Sequence, residues 1–490
     1  MAEDNLKKQT IKSYGWNFLD NILNRGISFV VGIILARLLS PDEYGLIGII
    51  MIFIALFNSI VESGLGAALI RKNNCTEKDY STVFYTNLIL SVVVAVIFYI
   101  SAPLIAGFFN EPQLKLLAQV MSSILIINAL SVIQNTLIQK KLDFKGKMII
   151  SMISSLTSGA VGVLMAYSGY GVWSLVGQQL SRQIIYTTLL WLHNRWLPQL
   201  VFSWKSFHEL FGFGWKVLVS GLIDTLWNEM YQIVIGKCYT AKTLGLYSRA
   251  HQFATIFSSN LTSVVQSVTY PSLCKVQDDS VRLKRGFQKV SKTAMFISFS
   301  AMFGMIAIAK PMVLVLLGEK WIDCVPFLQI ICLQMFLYPL HSLNLSLLEI
   351  KGRSDLFLKI QIIKKGIAVV PIILGIFLGI YWMLIGSVLT GFVGLYINTY
   401  YSKTLLGYGL EDQLKDLLPS FMISVAMAIV VYLITLLHLA PLPMLLVQLL
   451  VGVTVLVVLS ELFKLSEYME IKEIVLNYLP FKSARPKIMK

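Results

Sequence analysis

Charged residues are scarce in this chain, at 14% of 490 residues. A water-soluble domain carries roughly 25%, so we expect no large soluble domain. There are only five cysteines and five histidines, and the cysteines form no Cys-x-x-Cys pair, which argues against a disulfide framework or a zinc site. There is also no Walker A loop, no complete zinc-protease motif and no nucleophile paired with a base. We therefore expect no metal, no cofactor and no catalytic residue, and predict that the protein is not an enzyme.

Apolar residues are abundant instead, at 56% of the chain. A bilayer core of about 30 Å needs about 20 apolar helical residues to cross it. The spacing of the apolar segments predicts an all-α polytopic membrane protein with about fourteen transmembrane helices. The predicted helices are Ile11–Leu39, Tyr44–Ile70, Tyr80–Phe109, Gln113–Ile138, Met148–Tyr167, Val172–His193, Phe207–Lys237, Thr243–Tyr270, Val290–Leu317, Val325–Glu349, Leu356–Leu378, Trp382–Thr404, Leu414–Leu437 and Leu442–Phe463.

The basic residues are unevenly distributed between the loops. The chain has 41 Lys+Arg against 26 Asp+Glu, a formal net charge of +15. Most of these cations fall in every second gap between apolar segments, as the positive-inside rule predicts for a protein with both termini in the cytoplasm. We attribute the excess charge to this bias and to contact with anionic membrane lipids, and we expect no nucleic-acid partner. We also interpret the first apolar segment as a retained helix, because it is too long for a signal-peptide core.

Two basic segments contain scattered apolar residues, Lys275–Lys292 and Leu465–Lys490. Either segment could lie on the inner leaflet as an amphipathic helix. A solvated connector is an equally good interpretation of both.

The chain contains traces of an internal duplication. Tyr14-Gly15-Trp16 opens the first predicted helix and Phe213-Gly214-Trp215 opens the seventh; Tyr44-Gly45-Leu46 and Leu244-Gly245-Leu246 open the second and eighth. Chance similarity between apolar helices is the alternative. A duplicated set of six helices keeps its orientation, which predicts two lobes with a substrate site between them, as in parallel-repeat transporters. We therefore expect lobes at 1–200 and 201–410, a helix pair at 411–465 and a basic cytoplasmic tail at 466–490.

Polar residues recur within the predicted membrane helices, where a charge costs about 2.5–3.5 kcal/mol. In the first helix, Asn17, Asn21 and Asn24 are spaced to share one face, and Asp20 and Arg25 border that face. The seventh helix repeats this design with Lys216 and Asp224, which lie eight residues apart.

These residues predict a water-filled cavity for an anionic headgroup. We assign phosphate contact to Arg25, Lys216 and Arg249, with Arg182 as a further candidate, and contact with sugar hydroxyls to Asn17, Asn21, Asn24 and Gln252. The acidic residues would balance charge or couple transport to an ion, and they are Asp20, Glu62, Asp224 and Glu229. The alternative is that these groups pair with one another and hold helices together.

Several motifs resemble those of a known family. The matching segments are Leu35–Leu46, Gly64–Ile70, Gln139–Lys145, Gly169–Val176, Tyr247–Ala250, Tyr270–Leu273 and Leu316–Trp321. Together they resemble the polysaccharide flippases of the colanic-acid and lipopolysaccharide exporter type, within the multidrug/oligosaccharidyl-lipid/polysaccharide exporter superfamily. The resemblance covers about Gly15 to Leu405, and the last two helices match only in hydropathy.

The resemblance implies fourteen helices in two six-helix lobes plus a C-terminal pair. It also implies transfer of undecaprenyl-diphosphate-linked oligosaccharide from the inner to the outer leaflet of a bacterial inner membrane. Relatives hold the diphosphate with cationic residues in a central cavity, and Arg25 is the nearest match in this chain. Polysaccharide polymerases and glycosyltransferases are the expected protein partners.

Two other functions compete with this interpretation. A small-molecule antiporter of the same superfamily would favour an acidic cavity for cationic drugs, whereas here basic groups at least match acidic ones. A membrane polymerase or acyltransferase would need a sizeable outer loop or a catalytic group. The predicted outer turns, such as Ser168–Gly171, are short.

Overall fold

The computed structural model of the protein describes residues 2–62 and 64–478. Within those ranges every regular element is helical. The α-helices, numbered in chain order, are α1 (Ala2–Leu38), α2 (Pro41–Glu62), α3 (Leu65–Arg71), α4 (Glu77–Phe109), α5 (Gln113–Met121), α6 (Ser123–Lys141), α7 (Phe144–Tyr167), α8 (Trp173–Asn194), α9 (Trp204–Cys238), α10 (Ala241–Cys274), α11 (Ser280–Leu316), α12 (Cys324–Met335), α13 (Tyr338–Ile350), α14 (Ser354–Ile367), α15 (Val369–Leu378), α16 (Ile380–Leu406), α17 (Leu410–Leu433), α18 (Pro441–Leu462) and α19 (Ser466–Tyr478).

Among the described residues, 12 helical stretches are long and apolar enough to cross a membrane. The predicted all-α polytopic fold is thereby confirmed. Two further helices of the predicted set, α8 with 22 residues and α10 with 34, have sufficient length but a more polar composition. The number of about fourteen crossings therefore stays a prediction that depends on these two helices.

Several predicted spans are divided in the structure. The span predicted over Tyr44–Ile70 is α2 followed by α3, and the break lies beside Gly64, whose φ of 65° is in the left-handed region that favours glycine. Similar divisions near Ser122, Phe336 and Ala368 separate α5 from α6, α12 from α13 and α14 from α15.

The two basic segments have different structures. The first is largely the beginning of α11, which starts ten residues before the predicted Val290 because Asp279 caps it and accepts hydrogen bonds from the amides of Val281 and Arg282. The second contains α19, and residues 479–490 lie outside the described part of the chain.

The chain divides into two compact units, residues 1–245 and 246–490. In the first unit, α7 packs against α1 and α8, and α4 packs against α5 and α6. In the second unit, α11 packs against α12, α17 and α18, and α15 packs against α16. The lobes expected from the repeat, 1–200 and 201–410, stay a prediction.

Helix α9 packs on α2, α3 and α4 within the first unit. Near its start, the Lys72 ammonium lies 3.0 Å from the Glu209 carboxylate and 3.2 Å from the Asp79 carboxylate. Partial burial alone would lower the pKa of Lys72, but hydrogen bonds to these two carboxylates raise it above its ordinary value. The Arg71 guanidinium lies 4.7 Å from the centre of the Phe213 ring. Charge and cation–π contacts therefore tie this end of α9 to α3 and α4.

At the other end of α9, the starts of α2 and α10 meet at residues that the predicted repeat would place at equivalent positions. A Cβ added at Gly45 would lie 1.7 Å from the carbonyl oxygen of Ala241, and one added at Gly245 would lie 1.9 Å from that of Pro41. The contact is reciprocal, because each glycine faces the residue that lies four positions before the other glycine. The two pairs have the spacing of the predicted repeat. Backbone thus touches backbone, which only glycine permits here.

Candidate functional site

A polar cluster joins α1 to α7. Asp20 is 8% exposed and accepts a 2.9 Å hydrogen bond from the Ser151 hydroxyl. The Asn24 amide donates to the Asp20 carboxylate and to the Ser151 hydroxyl, and the Asn24 carbonyl accepts from Ser155 at 2.8 Å. Two predicted site residues therefore lie in one closed network with two serines.

The polar face of α8 borders a cavity of about 280 Å³. Gln179, Arg182, Gln183 and Tyr186 line it from α8, spaced so that all four share one face of the helix. From α7, Ser151 and Ser154 complete the polar lining, with Ile124 of α6 as the apolar member. Arg182 is exposed at this cavity and attracts the Asp20 carboxylate electrostatically. The cluster on α1 and the cavity on α8 are therefore parts of one site.

A second layer of hydrogen bonds holds the α8 side chains in place. The Gln183 amide donates to Asn128 at 2.6 Å, and the Asn128 amide in turn donates to Asn58 at 2.8 Å. The Tyr186 hydroxyl donates to Asn135 at 2.6 Å. Helices α2, α6 and α8 are thereby linked through amides, and Gln183 and Tyr186 are positioned before any ligand arrives.

Five further predicted residues of the first unit are exposed, and none of them lines this cavity. Arg25 and Lys216 are exposed and make no ion pair within the described part of the chain. Asn21, Asp224 and Glu62 are also exposed.

Two predicted residues of this unit remain. Glu229 is half-buried and accepts a hydrogen bond of 2.5 Å from Gln232. The side chain of Asn17 lies outside the described residues.

In the second unit, Arg249 and Gln252 lie together on α10. The Arg249 guanidinium donates to the side-chain oxygen of Gln252, one turn further along the helix. Arg249 is half-buried and Gln252 is exposed. A cation and an amide predicted to bind different parts of a substrate therefore contact each other directly.

The sequence argument did not single out Ser151, Ser155, Gln183 or Tyr186. The sequence contained a pattern that could have indicated them. The same helical spacing of polar residues occurs on α7, at Ser151, Ser154 and Ser155, and on α8, at Gln179, Arg182 and Gln183. A row of serines in a membrane helix also packs helices closely, so spacing alone could not separate a binding face from a packing face.

The fold and the site define a polytopic membrane protein whose polar groups line a cavity among its helices, which is the organisation of a membrane transporter. The family described as "Polysaccharide biosynthesis protein" matches residues 34–326. The match spans more than half of the chain, and the chain belongs to this family. The family named from sequence motifs is thereby confirmed.

Two relatives whose names state a role in polysaccharide biosynthesis support the same conclusion. The teichuronic acid biosynthesis protein TuaB of Bacillus subtilis is 27% identical over 437 residues, which cover 87% of this chain and 89% of TuaB. The succinoglycan biosynthesis transport protein ExoT of Rhizobium meliloti is 26% identical over 326 residues, which cover 66% of each chain.

A solved structure has the same fold. The lipid II flippase MurJ, in an inward closed conformation, superposes with a TM-score of 0.72 at 16% identity. The match covers 94% of this chain and 100% of that one. At this identity the likeness concerns the architecture alone.

Proposed function

We propose that this protein moves an undecaprenyl-diphosphate-linked oligosaccharide from the inner to the outer leaflet of a bacterial inner membrane. Membership of a polysaccharide biosynthesis family and similarity to TuaB and ExoT support this. MurJ, whose name states that it flips lipid II, has the same fold. The glycan to be moved would be a repeat unit of a capsule, exopolysaccharide or lipopolysaccharide.

The observation that carries the proposal is a pair of cations, on α1 and α9, that have no partner among the described residues. Arg25 and Lys216 lie within membrane-spanning stretches, are exposed and make no ion pair in the described part of the chain. A charge in the membrane costs about 2.5–3.5 kcal/mol, and a diphosphate would offset that cost. In this proposal both residues bind the diphosphate, and Arg249 is a further candidate for phosphate contact.

Transport would proceed by alternating access, with lobes 1–200 and 201–410 exposing the site first to one face of the membrane and then to the other. The sugar and diphosphate would bind polar groups of the protein while the polyprenyl tail stays in lipid, and no covalent bond would break. Asp20, Glu62, Asp224 and Glu229 would balance charge or couple transport to an ion gradient. Both termini would lie in the cytoplasm, and polymerases and glycosyltransferases would act beside the protein.

The test follows the sidedness of the lipid-linked glycan in cells depleted of the protein. The depleted cells express one of four forms of the protein: wild type, Arg25→Ala, Lys216→Ala or Arg25→Lys. An impermeant glycan-cleaving enzyme is then added to spheroplasts. We expect each alanine variant to lower the outward transfer rate about tenfold or more, because a hydrogen bond to a charged group contributes about 1.5–3 kcal/mol. Arg25→Lys should retain part of the rate.

The control is Lys115→Ala, which removes an exposed lysine at the start of α5. It should transfer glycan at the wild-type rate. If depletion leaves the sidedness of the glycan unchanged while its length or decoration changes, the proposal is wrong and an enzyme is the better interpretation.

A further inference from the structure

We infer that the cavity on the polar face of α8 binds one uncharged sugar ring of the transported glycan, separately from the diphosphate. This inference rests on the proposed function and assigns a second subsite within it. It is carried by the hydrogen-bonding groups, the charge balance and the size of the cavity.

The lining has unused hydrogen-bonding capacity. Gln179 and Arg182 make no hydrogen bond to other groups in the described part of the chain. The Gln179 amide offers both a donor and an acceptor, and Arg182 offers up to five donors. A sugar ring presents hydroxyls that donate and accept, so it would satisfy both side chains at once.

The charge of the cavity argues against a phosphate. Arg182 is the only basic side chain among the described residues lining it, and the carboxylate of Asp20 attracts that cation. The Asp20 carboxylate lies directly behind the lining, where it accepts a 2.9 Å hydrogen bond from Ser151. An entering phosphate would be repelled by this like charge, since the medium around it has low polarity. Arg25 and Lys216 have no such carboxylate partner within the part of the chain that the structure describes, and they remain the better phosphate ligands.

The size and rigidity of the cavity also suit a single ring. Its volume of about 280 Å³ lies just below the range of about 300–1,000 Å³ for sites that enclose drug-sized ligands. Gln183 and Tyr186 are already held by 2.6 Å hydrogen bonds to Asn128 and Asn135. Because these side chains are already ordered, binding a ligand costs little side-chain entropy, which favours affinity for a small neutral ligand.

Two probes separate the subsites in binding experiments on the full-length protein in nanodiscs. The first is the oligosaccharide released from the host's lipid-linked glycan by mild acid, which carries no diphosphate. The second is undecaprenyl diphosphate, which carries no sugar. Both are titrated calorimetrically against wild type, Gln179→Ala, Gln179→Glu, Gln179→Lys and Arg25→Ala. Thr188→Val, an exposed position elsewhere on α8, is the matched control.

We expect Gln179→Ala to weaken oligosaccharide binding at least tenfold and to change undecaprenyl diphosphate binding less than twofold. Gln179→Glu should retain oligosaccharide binding, because a carboxylate accepts hydrogen bonds from hydroxyls. Arg25→Ala should weaken undecaprenyl diphosphate binding at least tenfold and change oligosaccharide binding less than twofold. Thr188→Val should match wild type for both probes.

An anion site would give a different pattern: Gln179→Lys would tighten undecaprenyl diphosphate binding and Gln179→Glu would weaken it. That result would overturn the inference, as would a wild-type protein that binds undecaprenyl diphosphate but not the oligosaccharide. A wild-type protein that binds neither probe would contradict the proposed function itself.

Discussion

Gly45 and Gly245 occupy positions where a single methyl group has no room. Each faces a backbone carbonyl of the opposite helix, Ala241 for the first and Pro41 for the second. A real Cβ does not approach a carbonyl oxygen to 2 Å, so either side chain would force α2 and the start of α10 apart. Each glycine therefore makes room for the backbone of the helix that carries the other glycine.

We predict that Gly45→Ala and Gly245→Ala each lower the free energy of unfolding by about 1–3 kcal/mol, the usual cost of overpacking. Unfolding by sodium dodecyl sulfate, followed by circular dichroism, measures it. Gly212→Ala on α9 is the control, because a Cβ there meets no atom within 4 Å; it should be neutral or stabilising by up to about 1 kcal/mol. The double variant should cost less than the sum of the single changes, since both residues serve one contact. Full additivity would show that the two glycines act independently.

At the same scale, the sequence predicted some site residues but not their partners. Helical spacing was enough to place Asp20 and Asn24 near one face of α1. Their ligands, Ser151 and Ser155, belong to a helix more than 120 residues away, and only the packing of α1 on α7 joins them. Periodicity reports which residues share a face, but not which face of another helix lies opposite.

Helix α19 is held to the second unit by a buried carboxylate. Glu467 is 4% exposed and accepts hydrogen bonds from Ser420 of α17 and from Ser466 at 2.7 Å. Around it, Lys289 of α11 pairs with Glu470 at 3.0 Å. The tail that follows the last membrane helix is therefore docked by polar contacts as well as by apolar ones.

We predict that Glu467→Ala releases α19. Removing the buried acceptor leaves the Ser420 hydroxyl without its partner, at a cost of about 1–3 kcal/mol. Hydrogen–deuterium exchange over residues 466–478 should rise, while exchange in α17 changes little. Glu473→Ala, on an exposed position of the same helix, provides the comparison and should exchange like wild type. Equal exchange in both variants would rule out Glu467 as the docking residue.

Element boundaries were predictable where a local signal existed. Gly64 marks a break that a glycine permits, and Asp279 marks the start of α11 as a capping residue. The early start of α11 was missed because its first turns are basic, and hydropathy detects the apolar part of a helix rather than its full length. The breaks near Ser122 and Ala368 have αR backbone angles and no glycine or proline at the break itself, so no local pattern indicates them.

At the scale of the whole molecule, the number and direction of the membrane crossings depend on whether α8 and α10 cross. Both are long enough to span the membrane but are more polar than the other spans. If both cross, the loops on either side of α8 lie on opposite faces, and the basic segments all face the cytoplasm.

We predict that α8 crosses the membrane, and single cysteines in a cysteine-free variant test this. With an impermeant maleimide added to intact cells, Ser168→Cys should label, because the predicted topology places the loop before α8 on the outer side. Lys141→Cys and Arg195→Cys, both at exposed positions, should label only after permeabilisation. Labelling of both Ser168→Cys and Arg195→Cys in intact cells would mean that α8 does not cross and that the crossings number fewer than fourteen.

The polarity of α8 also bears on how the chain enters the bilayer during synthesis. The glutamines and the arginine that line the cavity each raise the free energy of membrane insertion. On its own, α8 would therefore insert inefficiently from the translocon into the bilayer. Helix α7 precedes it, is apolar enough to insert by itself, and packs against α8. The two helices therefore form a natural insertion hairpin in which the leading helix carries its polar partner into the membrane. The polar residues of α8 that are suited to bind a sugar would thus make the membrane insertion of α8 dependent on α7.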